Sequence, residues 1–151
     1  MKSLQDLIDK QGGIAIQFEQ YLYKTASHYS EDYDGGFWES VSFDDEKLFV
    51  LLMDNNASYK IRNSGNFAQI QIDAAMDSKT FSLSMFCMAA NIFGLALFED
   101  SQKMYSQGKN KQAEHVEELA ETYFNMSSLA RCKASELLSE DGLKNFYVFI
   151  D

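Results

Sequence analysis

Residues 37 to 73 read FWESVSFDDEKLFVLLMDNNASYKIRNSGNFAQIQID, and the fold class depends on whether this stretch makes strands. Phe37, Val41 and Phe43 alternate with Trp38, Ser40 and Ser42, the period of two that a half-buried strand requires. The charged run Asp44-Asp45-Glu46-Lys47 turns the chain into LFVLLM (48 to 53), which reads as a buried strand. Asp54-Asn55-Asn56 leads to SYKIRN (58 to 63), and Asn63-Ser64-Gly65-Asn66 leads to FAQIQID (67 to 73), where Ala68, Ile70 and Ile72 share a face. Connections this short make neighbouring strands antiparallel, because parallel neighbours need a long crossover. The expectation is an antiparallel β-meander of about four strands.

Helical periodicity surrounds it. Ile14, Phe18, Tyr21, Leu22, Thr25 and Tyr29 recur at three- and four-residue intervals, which predicts a helix from about residue 14 to 30. Leu4, Leu7 and Ile8 suit a short helix over residues 3 to 10, with residues 1–13 loosely ordered. Asp77-Ser78 reads as a helix cap. Phe81, Met85, Met88, Ala89, Ile92 and Leu95 follow at helical spacing with few polar positions between them. That helix is expected to lie across the apolar face of the sheet and to bend near Gly94. A further helix spans about 110 to 137, with Val116, Leu119, Ala120, Tyr123 and Met126 inward. Ser139-Glu140-Asp141-Gly142 interrupts it, and the apolar tail LKNFYVFID docks as a short helix or strand. The order is α-ββββ-ααα, an α+β fold with helices packed mainly on one face of the sheet. Residues 1–151 are read as a single domain, since no repeat, linker or break in composition divides them.

The chain holds 23 Asp and Glu against 13 Lys and Arg, a formal charge of -10. That balance repels a phosphate backbone, so no stable nucleic-acid binding is expected, and a neutral or basic partner is favoured. Cys87 and Cys132 form neither a C-x-x-C pair nor a disulfide framework, and are read as two buried thiols in a reducing cytosol. The start, MKSLQDLIDKQGG, is polar where a signal peptide is basic and then apolar. The longest apolar run, residues 85 to 98, falls short of the ~20 that cross a bilayer. The expectation is a cytoplasmic protein without a membrane span.

Catalytic patterns are sparse. His28 and His115 belong to no metal-ligating motif. A Cys87–His115 nucleophile pair would set its thiol in the most apolar helix, where burial makes it inert. No G-x-S-x-G, Walker loop or G-x-G-x-x-G occurs. No catalytic residue, cofactor or metal site is therefore assigned. Acidic residues gather twice: Glu31, Asp32, Asp34, Glu39, Asp44, Asp45 and Glu46 with no base among them, and Glu114, Glu117, Glu118 and Glu121 on one helical stripe. A surface imitating DNA would need about one charge per ~1.7 Å of axis, far denser than this chain supplies.

The most distinctive local sequence is Tyr33-Asp34-Gly35-Gly36-Phe37-Trp38, two glycines followed by the only tryptophan. It suits either a turn that seats Trp38 in the core or an aromatic patch beside acids that grips a partner. With Glu39, this block resembles the Y-x-G-G-[YF]-W motif of the KlcA/ArdB antirestriction family. Phe18-Glu19-Gln20-Tyr21-Leu22-Tyr23 resembles that family's aromatic-rich helix, and Ile72-Asp73-Ala74-Ala75 the passage from its sheet to its long helix. Phe149-Ile150-Asp151 resembles its closing residues. The likeness covers about residues 14 to 151. It departs at Asp44-Asp45-Glu46-Lys47 and LFVLLM, where relatives carry a Gly-bearing turn and an aromatic strand.

The resemblance implies a protein of plasmids, phages or genomic islands that relieves host type I restriction of incoming unmodified DNA. It implies no reaction and no cofactor. It assigns Tyr33, Asp34, Gly35, Gly36, Trp38 and Glu39 as motif or partner-contact residues. The partner is a host protein, the type I restriction enzyme or a factor associated with it. Two other classes stay open: a general protein-interaction module of a mobile element acting on another host protein, and a small metal-dependent enzyme using His28 or His115.

Overall fold

A computed structural model describes residues 1–62 and 75–151. The elements run α1 (Leu4–Gln11), α2 (Gly13–Tyr29), β1 (Glu39–Ser42), β2 (Phe49–Leu52), β3 (Ser58–Tyr59), β4 (Met76–Asp77), α3 (Ser78–Ser106), α4 (Asn110–Leu137) and α5 (Glu140–Ile150). Helices hold 67% of the described residues. The expected four-stranded meander is overturned. Instead the described residues hold two separate two-stranded antiparallel sheets, β1-β2 and β3-β4. The expected strand 67–73 lies outside the described residues, and of 58–62 only Ser58 and Tyr59 are strand.

The backbone hydrogen bonds explain the difference. A meander needs the N–H groups beyond β2 to pair with β3. Met53 N–H instead donates to Ser82 Oγ at 2.8 Å, and Asn55 N–H to Ser78 Oγ at 2.9 Å, both serines lying on α3. Farther on, Lys60 N–H donates to Asp32 Oδ2 at 2.9 Å and Arg62 N–H to Tyr29 O at 2.8 Å. Those four donors are satisfied by a helix, a loop and a helix end, so none of them extends a ladder from β2 to β3.

The β1–β2 hairpin forms as its turn predicts, Glu39 facing Leu52 and Ser42 facing Phe49. All four residues of β2 are buried, because α3 and α4 both pack on it. α1 reaches the other strand, where Leu4 N–H donates to Ser40 Oγ at 3.0 Å. Helices therefore meet the hairpin from more than one direction, and the one-sided arrangement is corrected as well. Residues 1–13 carry α1, and its Leu7 is fully buried.

α3 is the central element, packed against α2, α4, α5 and β2. Asp77 caps it as expected, its carboxylate accepting Thr80 N–H at 2.8 Å. By length and composition it could cross a membrane, with an 18-residue window of mean hydropathy 1.8; 61% of that window is buried inside the protein. Its apolar surface is thus largely spent on the core, where Phe18 of α2 meets Phe86, Phe93 and Tyr123 at ring distances of 6.0, 5.5 and 4.9 Å. Gly94, expected as a bend, lies at the α3–α4 contact: a Cβ there would stand 3.0 Å from the Phe124 ring and 3.1 Å from Ala120 O. The apolar tail is helical, and Ser139 Oγ caps α5 by accepting Gly142 N–H at 3.1 Å.

Lys133 fastens the hairpin turn to α4. Its Nζ lies 3.2 Å from Asp45 Oδ2, 3.6 Å from Glu136 and 5.0 Å from the Phe43 ring centre. Lys2 adds a second tie, donating to Phe43 O and Glu46 O.

Two outcomes test this packing. A Cβ on Gly142 would collide with Thr80 Oγ1, a buried hydroxyl with no hydrogen-bond partner among the described residues. Although alanine is the better helix former by ~1 kcal/mol, Gly142→Ala should destabilise by about 1–3 kcal/mol through overpacking. The cost should shrink when Thr80→Ala is added, as chemical denaturation of the single and double variants will show. A Gly142→Ala protein as stable as the parent would mean a looser contact. The second outcome concerns pH. The hydrogen bond from Lys133 holds the Asp45 carboxyl below its ordinary value, so its contribution is present above that value and fades as pH falls through the lowered one. Asp45→Asn should be less stable than the parent at neutral pH. The gap between their melting temperatures should close below about pH 4.

Candidate functional site

α2 ends at Tyr29, and residues 30–38 carry the chain to β1. Ser30 starts the turn: its carbonyl accepts Tyr33 N–H and its hydroxyl accepts Asp32 N–H, each at 3.3 Å. Tyr33 then faces inward, its ring 6.3 Å from Trp38 and 6.2 Å from Phe81. Trp38 is 8% exposed and donates from Nε1 to Tyr33 Oη at 3.1 Å. Tyr23 of α2 lies 5.9 Å from the indole, and Tyr59 of β3 stacks on Phe81 at 4.5 Å. Five aromatic rings from α2, the loop, β3 and α3 thus form the floor of the site.

Gly35 and Gly36 have φ of 102° and 141°, a region L side chains rarely adopt. Gly36 also needs its missing side chain, since a Cβ would stand 3.2 Å from Met53 Sδ. The two glycines carry the chain from Tyr33 to Trp38, whose side chains meet. The next residue to consider is Phe37, 81% exposed. The sequence alternation places Phe37 with Val41 and Phe43, which are half-buried in the structure. Strand pairing begins only at Glu39, so the pleat of the β1–β2 ladder does not set which of Phe37 and Trp38 points inward.

Of the six residues singled out from the sequence, Tyr33 and Trp38 are joined directly and Gly35 and Gly36 shape the loop above them. Asp34 and Glu39 are exposed on it, with no side-chain hydrogen bond or ion pair among the described residues. Phe37 stood inside the motif but outside that set. Its signal was the adjacency of two large aromatics after a double glycine, since only one of them can enter the core.

The electrostatics do not favour proton transfer here. Burial raises the Tyr33 phenol, an effect that the hydrogen bond from Trp38 opposes. Burial, helped by Glu19 and Tyr33, pushes Tyr23 up to about 12. Both phenols stay protonated through the physiological range, suited to packing and to holding the indole.

The other constellations come apart. His28 and His115 are exposed on different helices. Cys87 is buried and engages Ser127, whose O and Oγ lie 3.5 Å from Sγ; burial raises the thiol. Cys132 is exposed, which corrects the reading of two buried thiols. It borders an open depression of about 490 Å³ between residues 45–48 and α4 that contains no histidine. Among the described residues no three His, Cys, Asp or Glu side chains gather to hold a metal. In the glutamate stripe, Glu117 is half-buried and accepts a hydrogen bond from Tyr105 Oη at 2.8 Å, so one member has a structural task. No family model, curated protein or solved structure matches the chain.

This geometry separates the two neighbouring aromatics by measurement. Trp38→Ala should cost ~3–5 kcal/mol, as large core truncations do. Tyr33→Phe should cost about 1 kcal/mol through the lost hydrogen bond, and Phe37→Ala should stay within about 0.5 kcal/mol of the parent. Urea unfolding of the three variants gives the ranking; a Trp38→Ala loss under about 1 kcal/mol would place the indole outside the core.

Proposed function

We propose that this chain is an antirestriction protein that relieves host type I restriction of incoming unmodified DNA. It acts in the cytoplasm by holding a host protein, the restriction enzyme or a factor associated with it, and it does so without catalysis or a cofactor. One observation carries the reading. The block that resembles the antirestriction motif presents one aromatic ring from an anchored base: glycines at positive φ, an indole bonded to Tyr33, and Phe37 left standing in solvent. A large aromatic side chain is the kind that dominates contact energies.

The charge pattern supports a protein contact over imitation of DNA. The acids of the block sit beside an aromatic side chain, and the stripe on α4 has given Glu117 to Tyr105.

The test is the plating of unmodified phage on cells with an active type I system, with and without this chain expressed. The expected result is a clear rise in plaques that disappears in a host lacking the system. Soluble expression without that rise would overturn the restriction reading.

A further inference from the structure

We infer that the partner of the Tyr33–Glu39 loop presents an apolar socket for one aromatic ring, edged by arginine or lysine side chains. This inference rests on the protein-contact reading and adds the chemistry of the facing surface.

Phe37 supplies the apolar part. At 81% exposed it is the most exposed of the large hydrophobic residues described. Its neighbour Trp38 is fixed in the core, and a side chain on Gly36 would run into Met53 Sδ. Such a ring gains by entering a pocket that removes it from water, and little by lying on a flat polar surface.

The charge comes from its neighbours. Between residues 31 and 46 stand seven acids and no base. Three of them are already engaged: Glu31 lies 3.6 Å from Arg62, Asp32 accepts Lys60 N–H, and Asp45 holds Lys133. The two that flank Phe37, Asp34 and Glu39, have no ion pair among the described residues. Two unpaired carboxylates, one before and one after Phe37 in the chain, ask for cations at the edge of the socket.

The same charges disfavour other occupants. A second copy docking through this loop would bring Asp34 and Glu39 against their own kind. A phosphate backbone and an anionic lipid surface are repelled by them as well. A protein surface that handles nucleic acid carries the required arginines and lysines, which agrees with the proposed host target.

The experiment places a photo-crosslinker at the tip, Phe37→p-benzoylphenylalanine, in host cells with an active type I system. An unchanged melting temperature establishes that the variant folds. The expected result is one discrete protein adduct whose crosslinked peptide borders arginine or lysine. Its yield should fall roughly tenfold or more when Asp34→Lys and Glu39→Lys are added, because reversed rim charges meet like charges. An adduct indifferent to those reversals, an adduct on an acidic segment, on lipid or on nucleic acid, or a yield no higher than with the crosslinker at exposed Gln112, would overturn the inference. The plating assay separates the two readings. A charge-dependent adduct without relief of restriction retains the socket and removes the restriction target. Full relief by Phe37→Ala removes the socket and leaves restriction standing.

Discussion

Two serine hydroxyls on one helix set the architecture. Beyond β2 the chain has backbone donors that a larger sheet would normally consume, and Ser82 and Ser78 of α3 take them at Met53 and Asn55. A buried donor left unpaired costs about 1–3 kcal/mol, so this substitution of helix for strand is what permits the sheet to stop. The hydroxyls serve both sides: Ser82 Oγ donates to Ser78 O at 2.6 Å and Ser78 Oγ to Asn55 O at 2.8 Å. The strand end is thereby stitched to the first turns of the central helix. Met53, fixed by that stitch, fills the space a side chain on Gly36 would need and receives the Tyr59 hydroxyl at 3.9 Å. The presenting loop thus stands on the sheet-to-helix junction.

Much of the fold could be read from residue order, and the reasons differ by element. α2 and α4 are amphipathic, and Phe18, Leu22 and Thr25, or Ala120, Tyr123 and Met126, lie buried as their spacing predicts. The β1–β2 hairpin follows from alternation ending in a charged turn. The larger sheet was misread because alternation reports which side chains are wet, and says nothing of where a backbone N–H finds its acceptor. Ser78 and Ser82 look like ordinary polar positions in an apolar helix until the strand end is laid against them. Gly94 has a role that its own helix does not reveal: it makes room for Ala120 O and the Phe124 ring of another helix.

The candidate site was legible in part. The double glycine and the tryptophan marked the place, and the structure joins Tyr33 to Trp38. The sequence could not tell which of two adjacent aromatics would be buried, since that depends on the glycine φ values and on the gap beside Met53. The exposed Phe37 is the result of that choice. The acids were visible from the start, but their division into engaged and unengaged groups depends on Arg62, Lys60 and Lys133, which approach from distant parts of the chain.

The long helical pair has a consequence for the order of assembly. α3 and α4 are joined by residues 107–109 alone, so their contacts close a short loop and cost little chain entropy. The aromatic floor beneath Phe37 draws on Tyr23, Tyr33, Tyr59 and Phe81, and joins residues of α2 to the start of α3 across nearly sixty positions. Local contacts form first and distant ones later, so the helical hairpin is the natural nucleus and the presenting loop a late arrival. With no proline in the chain, no slow prolyl isomerisation delays that last step. The display of Phe37 therefore rests on contacts between distant parts of the chain, and its position reports on the packing of α2, β3 and α3 as well as on the loop itself.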